Sequence, residues 1–373
     1  MKIKVIYISF SGYSEYSGIS KKKLAQIKGL KECGCHVVNC YYFVKPENGH
    51  RVWMVDDEIL ADFGKGIGAK VRKRIDYRPL LNYIRKHHIP VAYMRSEHNA
   101  TPFLARFVRK LREMGTKTVM EIPTYPYDQE YSTFKMKVSL FFDKLFRKKL
   151  AKQLNAIVTF SNETEIFGQH TIRISNGIDF SSIKLKQENP VKGELYLIGV
   201  AEIHFWHGFD RVIAGLADYY KNSSTTCNVY FHIVGEFSGE RERDEIVPLI
   251  KKNGLENHVF LHGRLFGGDL DTLFDRADVG IGSLARHRSN ITRIKTLKNR
   301  EYAARGIPFI YSEIDDDFEG MPYILKVPAD ESPININQVI DFYTHQKVPS
   351  EYIRNSIKHL SWKDQMEKVI NSM

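Results

Sequence analysis

The stretch that decides the fold runs from Phe260 to Ser312 and reads FLHGRLFGGDLDTLFDRADVGIGSLARHRSNITRIKTLKNREYAARGIPFIYS. It alternates short apolar runs with helical segments, and its apolar runs end at Gly263, Ile281 and Tyr311. This rhythm predicts parallel strands that are connected by helices. In an open parallel sheet the loops at the carboxyl ends of the strands and the helix N-termini share one crevice, where ligands bind.

Three cations precede or open the second helix of this stretch. Arg293, Lys295 and Lys298 follow the polar loop Ser283 to Asn290, and we predict that they lie in the first turns of that helix. The helix dipole disfavours cations at this end, so their presence there predicts an anionic ligand.

Size and charge narrow the possible classes of protein. With 373 residues, of which 43% are hydrophobic, the chain is expected to form two packed domains. A net charge of +11 favours an anionic partner such as a nucleotide or an acidic membrane face. Nucleic-acid binding is not expected, because the basic residues are not interleaved with an aromatic stacking platform.

The cysteines and the N-terminus point to the cytosol. The four cysteines, Cys33, Cys35, Cys40 and Cys227, lack a second matching pair, so free thiols are expected and no metal site. The apolar run Val5 to Ser9 is too short for a signal peptide, which predicts a cytoplasmic protein. No cofactor is expected, and Asp315-Asp316-Asp317 is interpreted as a solvated turn.

The two halves of the chain show the same alternating pattern. Strands and helices alternate from Val5 to Phe160, a polar aperiodic stretch follows from Ser181 to Lys192, and the pattern restarts at Leu195. The sequence therefore predicts an α/β protein with two Rossmann-like domains.

Five motifs, taken in order, resemble those of the retaining GT4 family of GT-B glycosyltransferases. They are Ser175-Asn176-Gly177-Ile178-Asp179, Val200 to Asp210, Phe260 to Gly263, Leu273 to Val279, and Glu301 to Pro308. A sixth segment, Glu121 to Tyr127, resembles the branch that builds bacterial surface polysaccharides.

This resemblance implies a GT-B fold with two domains that face each other across a cleft. Residues 1–180 would bind the acceptor, residues 181–355 the nucleotide sugar, and residues 356–373 would form a C-terminal helix that crosses back and packs across the domains. The implied activity is metal-independent, retaining transfer from a nucleoside-diphosphate sugar to a glycan or polyprenyl-linked glycan, at the inner face of the cell membrane.

Three positions depart from the family pattern. Glu202 and His207 stand where the family has an Arg and a Lys that grip the diphosphate, and Arg293 replaces the first glutamate of its E-x7-E pair. We expect Arg293, Lys295, Lys298 and Arg211 to supply the missing charge. The departures leave two alternatives open: a non-catalytic GT-B partner protein of a transferase, and a GT-B sugar-nucleotide epimerase.

The candidate site residues follow from the motifs and from their places at strand ends. The expected catalytic residues are His98 and Glu301. The expected donor-binding residues are Gly12, Gly18, Trp206, His207, Gly208, Arg211, Arg293, Lys298 and Glu301. The expected acceptor-binding residues are Glu97, Glu121, Tyr125 and Asp128.

Each candidate also has an ordinary structural interpretation. Glu301 is expected to accept the ribose hydroxyls, but it could form a surface ion pair with Lys298 or Arg305. His98 could be a solvated loop residue, and Gly12 and Gly18 could belong to an ordinary loop.

Residues 135–154 form a basic amphipathic segment. Seven Lys and Arg residues alternate there with Phe141, Phe142, Leu145 and Phe146. Cations near an anionic bilayer and aromatic rings at its interface both favour binding, so this segment is predicted to dock on a membrane. A core-packed helix with a solvated face is the alternative.

Overall fold

The computed structural model describes residues 2–14, 17–128, 131, 134–187, 193–221, 225, 227–345 and 348–373. The chain folds into two compact units. The first comprises Met1–Ser175 and Ser361–Met373, and the second comprises Asn176–Leu360. Residues 188–192 of the predicted linker, and the side chain of Lys135 in the predicted membrane segment, lie outside the described residues.

The first unit is built on a largely parallel sheet with the order β4-β3-β2-β1-β5-β6-β7-β9-β8. Its strands are β1 (Lys4–Ser9), β2 (His36–Val44), β3 (Arg51–Val55), β4 (Glu58–Asp62), β5 (Val91–Arg95), β6 (Lys117–Ile122), β7 (Ala156–Thr159), β8 (Glu165–Ile166) and β9 (Gln169–Arg173). Its helices before the crossing to the second unit are α1 (Gly18–Glu32), α2 (Gly66–Ile75), α3 (Arg78–Lys86), α4 (Pro102–Glu113) and α5 (Phe134–Ala151).

The second unit repeats this architecture with the strand order β12-β11-β10-β13-β14-β15, in which every recorded pairing is parallel. Its strands are β10 (Glu194–Val200), β11 (Asn228–Val234), β12 (Val259–Leu261), β13 (Val279–Ile281), β14 (Phe309–Tyr311) and β15 (Ile324–Lys326). Its helices are α6 (Phe209–Lys221), α7 (Glu240–Lys252), α8 (Gly267–Arg276), α9 (Leu297–Arg305), α10 (Ile336–His345) and α11 (Ser350–Ser356).

The central strands are apolar because helices cover both faces of the sheet. In β1, Ile6 and Ile8 pack into one core, and Val5 and Tyr7 pack into another on the opposite face. All four are fully buried. The α/β prediction with two Rossmann-like domains is therefore confirmed.

The last helix, α12 (Trp362–Asn371), returns to the first unit, as predicted, and packs against α1. Gly29 of α1 permits the close approach, because a Cβ there would lie 2.6 Å from the carbonyl oxygen of Trp362. The helix begins where the Ser361 hydroxyl accepts a hydrogen bond from the backbone N–H of Asp364. Trp362, Met366 and Val369 are buried beneath it.

One helix boundary in the decisive stretch differs from the prediction. Helix α9 begins at Leu297, so Arg293 and Lys295 precede it, and only Lys298 lies in its first turn. The backbone before the helix pairs with the segment after β14, through an isolated bridge between Arg293 and Ile314. This pairing with a remote segment holds residues 292–294 extended, and the predicted position of Arg293 and Lys295 on the helix is wrong.

Candidate functional site

Three loops and one helix start converge at the carboxyl edge of the second sheet. The loop after β10 meets the loop after β13 where the N–H of Leu284 donates to the carbonyl of His207 at 3.0 Å. The loop after β13 meets the loop after β14 where the N–H of Ser312 donates to the carbonyl of Ser283 at 3.0 Å. Helix α9 starts beside them, since Ile294 donates to Ile314.

The loop after β10 contains a short 3-10 helix, Phe205–His207, which places Trp206 and His207 in this region. Gly208 follows with a φ of 68°, and a Cβ there would lie 2.9 Å from the Cβ of Leu284. The backbone conformation and the lack of space both favour glycine at this position. The sequence predicted that this turn brings backbone close to a ligand, and that role stays a prediction.

His207 is buried, and its Nδ1 accepts a hydrogen bond from the backbone N–H of His204 at 3.1 Å. Burial lowers the pKa of His207 well below its ordinary value, and the charges of Lys298 and Arg286 lower it further. His207 is therefore neutral near pH 7, so it can meet an anion as a hydrogen-bond donor and not as a charge.

Lys298 lies in the first turn of α9, and its ammonium nitrogen is buried. Within the described part of the chain this nitrogen has no hydrogen-bond partner, and it lies 5.7 Å from the centroid of the Phe209 ring. Burial lowers the pKa of Lys298, and the nearby charge of Arg286 acts in the same direction. A buried cation without a partner usually marks a missing ligand, ion or water.

Two charged residues in this region were not predicted from the sequence. Arg286 stands after β13, and its guanidinium lies 5.3 Å from the centroid of the Trp206 ring. Glu313 follows β14, is 2% exposed, and has Arg286 and Lys298 as its cationic neighbours. Nothing in the motif pattern marked either residue, because neither belongs to a quoted motif.

Glu301 projects from α9 with 31% of its side chain exposed. Its Oε1 accepts a hydrogen bond from Nη2 of Arg305 at 3.1 Å, and Arg305 also donates to Asp271 at 2.8 Å. The ion pair that was the ordinary interpretation of Glu301 is therefore present with Arg305. Since Arg305 is bonded to Oε1 alone, Oε2 remains available to accept from a ligand.

Arg300, next to Glu301, turns the opposite way and is fully buried. Its guanidinium donates to the carboxylate of Asp315 at 2.7 and 3.0 Å, to Asp317, and to the carbonyl of Asn176 at 2.8 Å. Asp315 is itself fully buried. The interpretation of residues 315–317 as a solvated turn is wrong, because Asp315 and Asp317 neutralise a buried arginine.

The other cations expected to supply charge are already paired. Arg211 is buried and donates to the carbonyls of Ser332 and Pro328 and to the carboxylate of Asp330. Arg293 forms an ion pair with Asp316 and is half-exposed. Among the four cations named for this role, Lys298 is the one for which the described residues form no ion pair at contact distance.

In the first unit, His98 follows β5 and stacks on Tyr127 with ring centroids 3.8 Å apart. Its Nε2 is buried, and the described residues offer it no hydrogen-bond partner. Burial lowers the pKa of His98 to about 4, and the charge of Arg95 contributes. His98 is therefore a neutral ring in a buried setting and not a solvated loop histidine.

The four predicted acceptor residues lie in different settings. Glu97 is exposed, and Tyr125 is half-buried. Asp128 forms ion pairs with Arg147 at 2.7 Å and Lys144 at 2.9 Å. Glu121 is fully buried in a network of hydrogen bonds and ion pairs with Tyr93, Gln26 and Lys22. Because its charge is already balanced inside the core, we do not carry Glu121 forward as an acceptor contact.

The two glycines of the first loop also differ. Gly12 is confined, since a Cβ would lie 3.0 Å from the Phe43 ring, and its carbonyl accepts from Lys23 at 2.8 Å. Gly18 opens α1 with no described atom close to its Cβ position. Space therefore requires a glycine at residue 12 but not at residue 18.

Solved structures resemble the chain over its whole length. Sucrose-phosphate synthase from Thermosynechococcus elongatus matches with a TM-score of 0.69 and 13% identity, over 99% of this chain and 98% of that one. HepE from Anabaena, solved in complex with UDP, matches with a TM-score of 0.61 and 14% identity over 100% of both chains. The chain has the GT-B fold.

A third GT-B relative by fold is WaaG, a glycosyltransferase involved in lipopolysaccharide biosynthesis. It matches with a TM-score of 0.62 and 13% identity over 98% of both chains. No protein-family model and no curated protein matches the sequence. At these identities the comparisons establish the GT-B fold and leave activity to be argued from the site.

In this GT-B fold, some of the predicted site residues lie together in space. Trp206, His207, Gly208 and Lys298 share the carboxyl edge of the second sheet, with Glu301 one turn further along α9. Arg211 and Arg293 turn to partners of their own. Within the described ranges, no group of three or more His, Cys, Asp or Glu side chains is arranged to hold a metal ion.

Proposed function

We propose that the chain is a retaining, metal-independent glycosyltransferase that uses a nucleoside-diphosphate sugar. The observation that carries this proposal is the buried ammonium of Lys298, without a hydrogen-bond partner among the described residues, at the carboxyl edge of the second Rossmann-like sheet. That edge is where open α/β sheets bind ligands, and an unpaired buried cation there suits a diphosphate.

The charges in the site suggest how departure of the diphosphate would be assisted. Lys298, Arg286 and the N-terminal N–H groups of α9 would stabilise the negative charge that develops on the leaving group. Oε2 of Glu301, which is not bonded to Arg305, would accept hydrogen bonds from the ribose hydroxyls. The leaving phosphate would take the proton of the acceptor hydroxyl, so the scheme requires no strong protein base.

Fold relatives with nucleotides support this choice of donor class. HepE has been solved with UDP-glucose, and the catalytic domain of starch synthase IV from Arabidopsis thaliana with ADP and acarbose. For the present chain we propose a nucleoside-diphosphate sugar as donor and a glycan or polyprenyl-linked glycan as acceptor, in surface polysaccharide synthesis. His98 is proposed as a catalytic residue of the first unit, and the residues proposed to bind the acceptor are Glu97, Tyr125 and Asp128.

Replacement of Glu301 tests the nucleotide site. A panel of UDP, GDP, ADP and dTDP sugars should first raise the melting temperature with at least one donor, since ligands that bind the folded state stabilise it. Glu301→Gln should then weaken that donor about 10-fold in calorimetry, because an amide offers the ribose fewer acceptors. Glu256→Gln, at an exposed loop position, is the control. Unchanged donor affinity in Glu301→Gln would exclude the ribose role.

We further propose that α5 docks the enzyme on the cytoplasmic face of the membrane. Phe134, Phe141, Phe142 and Leu145 are exposed at 85%, 59%, 52% and 56%. Lys148 and Lys149 are exposed and continue the stripe of Phe141, Phe142 and Leu145 at helical spacing. Among the described residues, no helix is long and apolar enough to span a bilayer. An apolar stripe bordered by cations suits an anionic bilayer surface.

Charge reversal on α5 tests this docking. Lys137, Lys148 and Lys149 are exposed and belong to no described ion pair, so replacing all three with Glu should leave the fold intact. Partitioning onto vesicles that contain phosphatidylglycerol should fall at least roughly 100-fold, at about 1 kcal/mol per charge. The same reversal at Lys221, Lys251 and Lys252 is the control. Equal sedimentation of parent and variant with vesicles would contradict membrane docking and favour the interpretation of a core-packed helix with a solvated face.

A non-catalytic partner protein is separated from this proposal by one assay. The departures at Glu202, His207 and Arg293 motivate that alternative. With the donor selected by the panel, the purified chain should hydrolyse or transfer the sugar. Donor binding without any turnover, with and without acceptor extracts, would favour the partner protein.

A further inference from the structure

Glu313 is a buried carboxylate that no part of the proposed function uses. It follows β14 by two residues, at the same sheet edge as Lys298, and only 2% of its surface is exposed. Neither carboxylate oxygen has a hydrogen-bond partner among the described residues. Burial raises the pKa of Glu313, and its own backbone N–H and the charges of Arg286 and Lys298 oppose that rise. Buried carboxylates without partners are rare, because the desolvation of the charge is not repaid.

The cationic neighbours of Glu313 are Arg286 and Lys298, and neither forms a hydrogen bond with it. The ammonium nitrogen of Lys298 is also buried and without a hydrogen-bond partner in the described part of the chain, so the two groups do not bond to each other. The two groups influence each other through their charges, since Glu313 raises the pKa of Lys298 while burial lowers it. A third polar group, the hydroxyl of Ser283 in the loop after the neighbouring β13, is likewise buried without a described partner. Its carbonyl accepts from Ser312, the residue before Glu313.

The chemistry of these groups selects the class of ligand. A metal ion needs several oxygen ligands, but the next carboxylate, Asp315, is bound to Arg300. A phosphate alone would suit Lys298 but would be repelled by Glu313. A sugar hydroxyl suits both, because it donates to a carboxylate and accepts from an ammonium.

We propose that Glu313 accepts hydrogen bonds from hydroxyl groups of the transferred sugar and thereby determines which sugar the enzyme uses. Lys298, with three N–H donors, bridges the diphosphate and the same sugar, and Ser283 lies at the end of the adjacent strand. This inference rests on the proposed nucleotide-sugar function and adds a specificity residue to it. Glu313 comes from the strand end after β14, whereas the family's absent glutamate corresponds to Arg293.

Calorimetry with paired ligands separates the sugar contact from the nucleotide contact. The probes are UDP with UDP-glucose, or the ADP or GDP pair if the panel selects that base. In Glu313→Gln, affinity for the free nucleoside diphosphate should stay within about 3-fold or rise, because a negative charge leaves the site. Affinity for the nucleotide sugar should fall about 10-fold or more, since the amide offers hydroxyl groups half the acceptor capacity. Glu256→Gln should alter neither value.

Sugars that lack single hydroxyls identify the contact. In the parent, removal of the hydroxyl that Glu313 binds should weaken binding of the nucleotide sugar about 10-fold. In Glu313→Gln the same removal should have little further effect on affinity. In Glu313→Asp, which keeps the charge on a shorter side chain, the effect of removing this hydroxyl on nucleotide-sugar affinity should lie between the effects in the parent and in Glu313→Gln.

Three results would overturn the inference. Equal weakening of nucleotide and nucleotide sugar would make Glu313 a general charge in the site, and no change in either would leave it a residue that holds only water. A parent that discriminates against no hydroxyl-deleted sugar would exclude a hydroxyl contact whatever the variants do. A parent that binds no nucleotide at all would instead refute the proposed function, and this inference with it.

Discussion

Arg300→Met is expected to destabilise the second unit by about 3–5 kcal/mol, the cost of leaving buried charge without its partner. Its guanidinium is fully buried and holds Asp315, Asp317 and the carbonyl of Asn176. Methionine fills much of the volume but bonds to none of these groups. Because domains are stable by only about 5–15 kcal/mol, this loss is a large fraction of the unit's stability. Urea unfolding followed by circular dichroism measures the loss.

Two further variants test the cause of that loss. Arg109→Met removes an arginine that is 55% exposed and paired with Glu113, and it should cost less than about 0.5 kcal/mol. Arg300→Met combined with Asp315→Asn and Asp317→Asn should recover much of the stability, because the unbalanced carboxylates are gone. A loss below about 1 kcal/mol in Arg300→Met alone would contradict the role of this cluster in the core.

Lys298→Met is expected to lower kcat/KM for sugar transfer about 100-fold. The ammonium is buried at the carboxyl edge without a described hydrogen-bond partner, so the change breaks no described hydrogen bond, although it removes a positive charge beside Glu313. Loss of one preorganised donor to a developing anion typically costs a factor of 100 to 1,000. The assay is release of the nucleoside diphosphate from the donor that the thermal panel selects.

The matched control for this variant is Lys252→Met. Lys252 ends α7, is exposed, and belongs to the same unit. It should leave turnover unchanged. Turnover of Lys298→Met within about 3-fold of the parent would show that Lys298 does not contact the leaving group, and the diphosphate site would then have to depend on Arg286 or backbone N–H groups.

The sequence predicted the repeated α/β architecture because buried parallel strands are written as short apolar runs between helical segments. It did not predict the antiparallel strands β3 and β4 at the sheet edge. In β4 every residue is exposed or half-buried, so no apolar run marks it. The start of α9 was misplaced because pairing of residues 292–294 with Ile314 overrides local preference.

The residues that gather at the carboxyl edge of the second sheet were predictable where a motif or the expected start of a helix marked them. The quoted motifs led to Trp206, His207, Gly208 and Glu301. Glu313 and Asp315 were missed because the burial of a carboxylate is decided by partners in space. Asp315 is buried because Arg300 reaches it across 15 residues, and Glu313 is buried beside Lys298, also 15 residues away. Hydrophobic periodicity does not predict such pairings between charged residues.

One unit is formed by a continuous stretch of sequence and the other by two separate stretches. Asn176–Leu360 is one unbroken segment, whereas the first unit is completed only by Ser361–Met373. The second unit is thus an insertion within the first. During synthesis the chain of the second unit is complete before that of the first. A truncation that removes α12 would delete Trp362, Met366 and Val369 from the core of the first unit while leaving the second unit whole. Loss of the last 13 residues should therefore register as a defect of the first unit, although the cut lies next to the second in sequence.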